Sequence, residues 1–434
     1  MRNAEFSEKR RLYSAIHNPH FAISTGGINM ARLPLEGIRV TDFTWAWAGP
    51  YCTMQMAHMG AEVIRIESAK RVCVSRAIPS FADDIPGPNR AGYFNQYNQG
   101  KKGLQLDLAR PEAVEIAKKL VAKSDIVVQN FSAGAIDRMG LGYETLKQVK
   151  PDIIMISICG YGQTGPERHY MGYGPASVPL AGISSLTGYR GLGPAEVGIS
   201  YGDPNAGIFG AFAALAALAY RQRTGRGVHV DLALWEALLT LQPEGLMDYA
   251  MNRTQPERDG NHDRWMAPHD CFKCQGDDDK WVTIVCGTEA EWQALCKAMG
   301  KPELATDKRF ATATARKANE DALEESITAW TQERDRWEVT EILQKAGVAA
   351  FPSLSNKDLA TNPHLAARGY LVQKEHPEVG KRIHAGIPWQ MSSTPCEVRA
   401  AAPLRGQHSD YVLRDILELS EAEVRKLKEE QILY

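Results

Sequence analysis

Strand and helix signals alternate between about Leu35 and Ser157, and that alternation restricts the fold more than any other feature of the chain. Residues 38–43 and 62–66 read as strands, separated by an aromatic turn at Trp45 to Pro50 and an apolar helix running to about Met59. In residues 111–123, Ala113, Ile116, Ala117 and Leu120 fall at i, i+3, i+4 and i+7, one apolar helical face. Pro111 suits the first turn of that helix. Residues 125–128 and 153–157 are further strand runs, with a short helix between them near residues 143–149. The expected class is α/β, with a mostly parallel, doubly wound sheet. Ligands of such sheets bind beyond the carboxyl ends of the strands, so residues 45–49, 130–132 and 159–163 are expected at the site.

The chain has 434 residues, too many for one ordinary core, so a second domain is expected. Asp203 and Pro204 read as the N-cap and first residue of another helix, apolar on most sides, expected to be buried and closed by Gly225. Residues 228–232 and 281–285 read as strands; helices are expected near 288–299, 319–345 and 421–430. The polar texture after Met251 marks a smaller second domain. The most apolar run, residues 206–220, falls short of the roughly 20 residues a membrane span needs. Residues 1–30 lack the apolar core of a secretory signal and read as a leader, a tag or a mis-assigned start. Cytoplasm is the expected compartment. A net charge of −2 provides no global basic field for nucleic acid.

Several chemistries lack their motifs. Gly191 and Gly193 have no third glycine for a dinucleotide fingerprint, and no P-loop, HExxH or GxSxG pattern occurs. His17, His20 and the pair His262 and Asp263 read as surface residues. The eight cysteines are scattered, and the single pair Cys271 and Cys274 has no second pair to complete a zinc site. Neither a metal nor a covalently bound cofactor is expected.

Other motifs are specific. Leu35-Glu36-Gly37-Ile38-Arg39-Val40, Trp47-Ala48-Gly49-Pro50 and Gly60-Ala61-Glu62-Val63 open the chain; Asn130-Phe131 through Arg138-Met139-Gly140 follow. Gly160-Tyr161-Gly162, then Arg223-Thr224-Gly225-Arg226-Gly227 and the tail segment Ala402 to His408 complete the order. This ordered set resembles the class III coenzyme A transferases of the CaiB/BaiF type over roughly residues 33–434. The resemblance implies a large Rossmann-like domain (31–225), a linker (226–255), a small α+β domain (256–350) and a return to the large domain (351–434). It also implies two interlocked chains, and coenzyme A as substrate. It assigns Trp47, Ala48, Leu106, Asn130, Phe131, Arg138 and Tyr161 to CoA binding, with Asn130, Phe131 and Arg138 at the adenine and phosphate end.

The resemblance fails at one position. The family's aspartate attacks the donor thioester and forms a mixed anhydride, a covalent mechanism that needs neither metal nor ATP. The matching residue here is Gly174, which has no side chain to react. An acyl-CoA racemase, which also uses an acidic group there, is weakened by the same substitution. Three expectations follow. The chain is a subunit completed by a paralogous, aspartate-bearing partner, most like the non-catalytic chain of succinyl-CoA:benzylsuccinate CoA transferases. Alternatively Asp203 or Cys159 replaces the aspartate, or the chain is a CoA-binding scaffold. The first implies succinyl-CoA as donor and an aromatic-substituted dicarboxylate as acceptor, with Trp45 and Trp47 near the cleft.

Overall fold

The computed structural model describes residues 33–198 and 200–433. The expected leader with His17 and His20, and Ile199, lie outside the described residues. Six parallel strands form the main sheet: β1 (Arg39–Asp42), β2 (Glu62–Glu67), β3 (Lys102–Gln105), β4 (Ile126–Gln129), β5 (Ile154–Cys159) and β6 (Val228–Ala233). Their order, β3-β2-β1-β4-β5-β6, is the doubly wound order with its reversal between β1 and β4. β6 lies inside the stretch 226–255 expected as a linker. That stretch also carries the helices Leu234–Leu239 and Pro243–Asn252.

Both faces of the sheet are covered. On one side Phe43, Ile64, Leu104 and Val127 pack with Ile116 and Leu120 of the Pro111–Ala122 helix. On the other, Val40, Val63, Ile126 and Ile156 meet the Ala48–His58 and Gly202–Thr224 helices. These two helices touch closely at Gly207, where a β-carbon would stand 2.7 Å from the Ala48 carbonyl oxygen. The Gly202–Thr224 helix was expected to be buried on most sides. Only the side facing the sheet is: Ile208, Phe212 and Leu215 are exposed, Phe212 by 68%.

The last part of the chain returns to this sheet. Val412, Leu413, Ile416, Ile432 and Leu433 fill the same core as Leu104 and Ile116. The His408 N–H donates to the Gly103 carbonyl (2.9 Å), the Asp107 N–H to the Ile432 carbonyl (3.0 Å), and Arg399 Nη2 to the Ala61 carbonyl (2.9 Å).

A second core forms over the antiparallel sheet β7 (His269–Lys273), β8 (Trp281–Val285) and β9 (Ala349–Pro352), where Phe272, Ile284, Trp292, Leu323 and Val339 interlock. The helix expected over 319–345 is two helices, Glu320–Thr331 and Arg336–Lys345. Asp335 starts the second by accepting the Trp337 N–H, an N-cap that breaks the run. A hairpin, β10 (Leu371–His376) with β11 (Gly380–Ala385), precedes the returning tail. Among the described residues no helix is long and apolar enough to cross a membrane.

Candidate active site

The site is built where the strand order reverses. β1 ends at Asp42, which is fully buried. Its Oδ1 accepts the Thr44 N–H (2.8 Å), and its Oδ2 accepts from Thr53 Oγ1 (2.7 Å) and Lys101 Nζ (3.1 Å). Lys101 also donates to the Pro50 carbonyl (2.9 Å) and Asn98 Oδ1 (3.0 Å). Burial pushes the Asp42 carboxyl up, but Lys101, Arg65, Thr44 and Thr53 outweigh it and hold the group below the usual carboxylate range. Burial lowers Lys101 to about 8, so the pair stays ionised at pH 7. This knot fixes both ends of the turn from Thr44 to Pro50.

Asn130, just beyond β4, holds the same turn from the other side of the reversal. Its Oδ1 accepts the Trp45 N–H (2.7 Å) and its Nδ2 donates to the Trp45 carbonyl (2.8 Å). Between the two clamps Ala46 takes a left-handed conformation (φ 59°), uncommon for a residue with a side chain. Trp47 then packs into an aromatic cluster, 5.3 Å from the Tyr93 ring and 5.0 Å from that of Tyr97.

The turn forms the floor of a cleft of about 790 Å³. Trp45, Trp47, Ala48, Asn130, Cys159 and Tyr161 line it, together with Gly174 and Asp203. Tyr161 stands edge-on to Tyr170 and Trp235. Four of the expected CoA residues, Trp47, Ala48, Asn130 and Tyr161, therefore share one cleft. The other three do not line it. Leu106 is fully buried and belongs to the core, because the strand-end position that carries it turns inward under the returning tail. Phe131 is half-buried against that core, and Arg138 is exposed at the end of the short Ala135–Arg138 helix.

Gly174 opens the Gly174–Leu180 helix and is buried in the cleft wall. A β-carbon built on it would overlap Asp203 Oδ2 and stand 2.7 Å from Ser200 Cβ. The Asp203 carboxylate thus occupies the space that an aspartate side chain at 174 would enter. Asp203 is not the expected N-cap. It is the second residue of the Gly202–Thr224 helix, whose cap position is Tyr201 and has no side-chain bond. Its Oδ1 instead accepts the Ala48 N–H across the cleft (3.3 Å). Burial raises the Asp203 carboxyl to about 6, with only the Ala48 N–H pulling it down.

The model of CoA-transferase family III matches residues 35–409. The chain belongs to this family. Succinyl-CoA--D-citramalate CoA-transferase of Chloroflexus aurantiacus is 32% identical, over 92% of this chain and 98% of its own. The beta subunit of succinyl-CoA--L-malate CoA-transferase from the same organism is 31% identical, over 92% and 98%. The crystal structure of a CAIB/BAIF family protein from Brucella suis superposes with a TM-score of 0.81 at 29% identity, covering 89% of this chain and all of that one.

Within the family III cleft the two candidate replacement groups differ. Burial, then Asp231, pushes the Cys159 thiol up to about 11, and Gln163 Nε2 donates to its Sγ (3.4 Å). A thiol so protonated is a poor nucleophile near pH 7. Asp203 is ionised over much of the neutral range and its Oδ2 faces Gly174. Its raised pKa also fixes a sign: the charged form is disfavoured by folding, so stability is lost as pH rises from the ordinary 3.8 through about 6 and is level above that. Asp203→Asn should therefore stabilise the protein at pH 8, on the order of 2 kcal/mol, and change little at pH 4. Thermal melts at the two pH values check this; equal shifts at both would contradict it.

His262, expected at the surface, is largely covered and bonded to Glu324, with Asp259, Asp270 and Glu320 within 4.0 Å. Cys271 is half-buried and Cys274 buried, both as free thiols on or beside β7. Arg71 and Tyr93 line the cleft without any sequence signal having pointed to them. They come from a loop and a short helix whose proximity depends on tertiary structure alone.

Proposed function

We propose that this chain is one subunit of a cytoplasmic CoA transferase that passes CoA from succinyl-CoA to an aromatic-substituted dicarboxylate such as benzylsuccinate. A paralogous chain carrying an aspartate at the position of Gly174 completes it as a heterodimer or heterotetramer. The observation that carries this reading is Gly174 itself, a buried position in the cleft wall with no group to attack a thioester. The donor and the dicarboxylate class are drawn from the names of the relatives. The aromatic substituent is supported by the rings of Trp45, Trp47, Tyr93, Tyr161 and Tyr173 around the cleft.

Unburied apolar surface supports a macromolecular partner. The helix Pro243–Asn252 buries none of its ten residues although Leu246, Met247, Tyr249 and Met251 are among them, and Met251 is 72% exposed. With Phe212 and its neighbours this is surface that an interlocked related chain would cover. Native mass spectrometry on material co-expressed with the paralogue should return a mixed complex. A homo-oligomer with the paralogue left free would overturn the partner reading. At the adenine and phosphate end, Arg138→Ala should weaken CoA binding by roughly tenfold with the melting temperature unchanged. Undiminished CoA affinity would remove Arg138 from that role.

The position of Asp203 favours a second reading, in which this chain reacts by itself. Asp203 would attack the succinyl thioester carbonyl, expelling CoA thiolate and leaving a mixed anhydride. The thiolate would attack the aspartyl carbonyl, giving aspartyl-CoA and free succinate. The acceptor carboxylate would then displace the thiolate to form a second anhydride. Thiolate attack on its acceptor carbonyl would release the new acyl-CoA and the free Asp203 carboxylate. Turnover by the single chain, lost in Asp203→Asn, would establish this route.

A further inference from the structure

The cleft contains one positively charged group whose role nothing above assigns. Among the described residues that line it, Arg71 is the only lysine or arginine. Its guanidinium lies 5.9 Å from the centroid of the Trp45 ring, and no carboxylate among the described residues pairs with it. The turn that presents it is fastened from below. Ser68 Oγ accepts the N–H groups of Lys70 (3.2 Å) and Arg71 (3.4 Å). Arg405 Nη2 donates to the carbonyls of Ser68 (3.4 Å) and Ala69 (2.8 Å), and Lys70 pairs with Asp107 (2.7 Å). Val72 and Val74 follow as an exposed apolar wall of the same cleft. An arginine on a fixed turn, beside an indole and open to a mainly apolar cleft, is equipped to take an oxyanion in bidentate fashion.

The geometry points to Arg71 as the anchor for the non-reacting carboxylate of the dicarboxylic substrates. This inference rests on the proposed dicarboxylate transfer. Each acid in that exchange gives one carboxyl to the thioester and keeps one as an anion, in both donor and product. A single cation away from the reacting carbon then reads the feature that all these substrates share. The Trp45 ring beside the guanidinium matches an acid that carries an aryl group next to its carboxylate.

Titration calorimetry on the full chain, alone and in its complex, tests this with CoA, butyryl-CoA and succinyl-CoA. Butyryl-CoA keeps the four-carbon acyl chain and lacks the terminal carboxylate. The wild type should bind succinyl-CoA more tightly than butyryl-CoA. Arg71→Gln should weaken succinyl-CoA by roughly tenfold to hundredfold and leave the other two within about twofold. Equal weakening of all three would make Arg71 a CoA-phosphate contact and overturn the inference, as would a wild type indifferent to the terminal carboxylate. Competition with free acids separates this from the function proposed above. Displacement by succinate but not by benzylsuccinate would sink the aromatic acceptor and leave the carboxylate anchor standing.

Discussion

Purified without a partner, the chain should transfer no CoA from succinyl-CoA to benzylsuccinate, and adding the aspartate-bearing paralogue should restore turnover. The exchange needs a nucleophile to accept the acyl group while the thiolate waits. Removing an enzyme's nucleophile costs roughly 10⁴–10⁶ in kcat, so the loss is not a matter of degree. Gly174 supplies nothing, and the Cys159 thiol is held protonated by burial. Chromatographic detection of the aromatic acyl-CoA, with the single chain, the paralogue and their complex in parallel, reads the difference directly. Full turnover by the single chain would overturn the division of labour. Asp203→Asn in that active chain would then decide whether the carboxylate beside Gly174 had taken over.

The second large effect concerns stability. Lys101→Met should destabilise the protein by about 3–5 kcal/mol, because it keeps most of the side-chain volume but leaves the Asp42 charge buried without its partner. For a chain of this size the melting temperature should fall by roughly 3–6 °C. The double variant Asp42→Asn with Lys101→Met should recover most of the loss, since a neutral pair pays no desolvation for a stranded charge. The gap between wild type and Lys101→Met should narrow in acid. Asp42 has a lowered pKa, so its contribution is present above the ordinary carboxylate value and disappears as pH falls through the folded one. A loss below about 1 kcal/mol in the single variant would mean that Thr44, Thr53 and Arg65 hold Asp42 without the lysine.

The main sheet was legible because its inner strands are buried on both faces and read as short apolar runs: β1, β2, β4 and β5 all lie where that pattern puts them. β3 was missed. Lys102-Gly103-Leu104-Gln105 has too little β-branched character to stand out, and its place comes from pairing with β2. The turn from Trp45 to Pro50 and Asn130 could be placed at the site from topology alone, since the carboxyl ends of strands on either side of a reversal must meet. Leu106 could not be separated from the cleft by sequence, because a leucine at a strand end serves either role. The identity of the group facing Gly174 was also hidden. The Asp203-Pro204 pair carries the local signal of a helix start, and the signal gave the right helix but the wrong duty for its aspartate.

The returning tail has a consequence for how this protein is made. Leu104 and Ile116 share their core with Ile432 and Leu433, and Gly103 is bonded to His408. The strands synthesised first therefore lack part of their packing until residues 408–433 leave the ribosome. Through most of translation the nascent sheet must keep that apolar face exposed, or borrow cover from a chaperone, while the core around Trp292 needs only residues 267–350 and can close earlier.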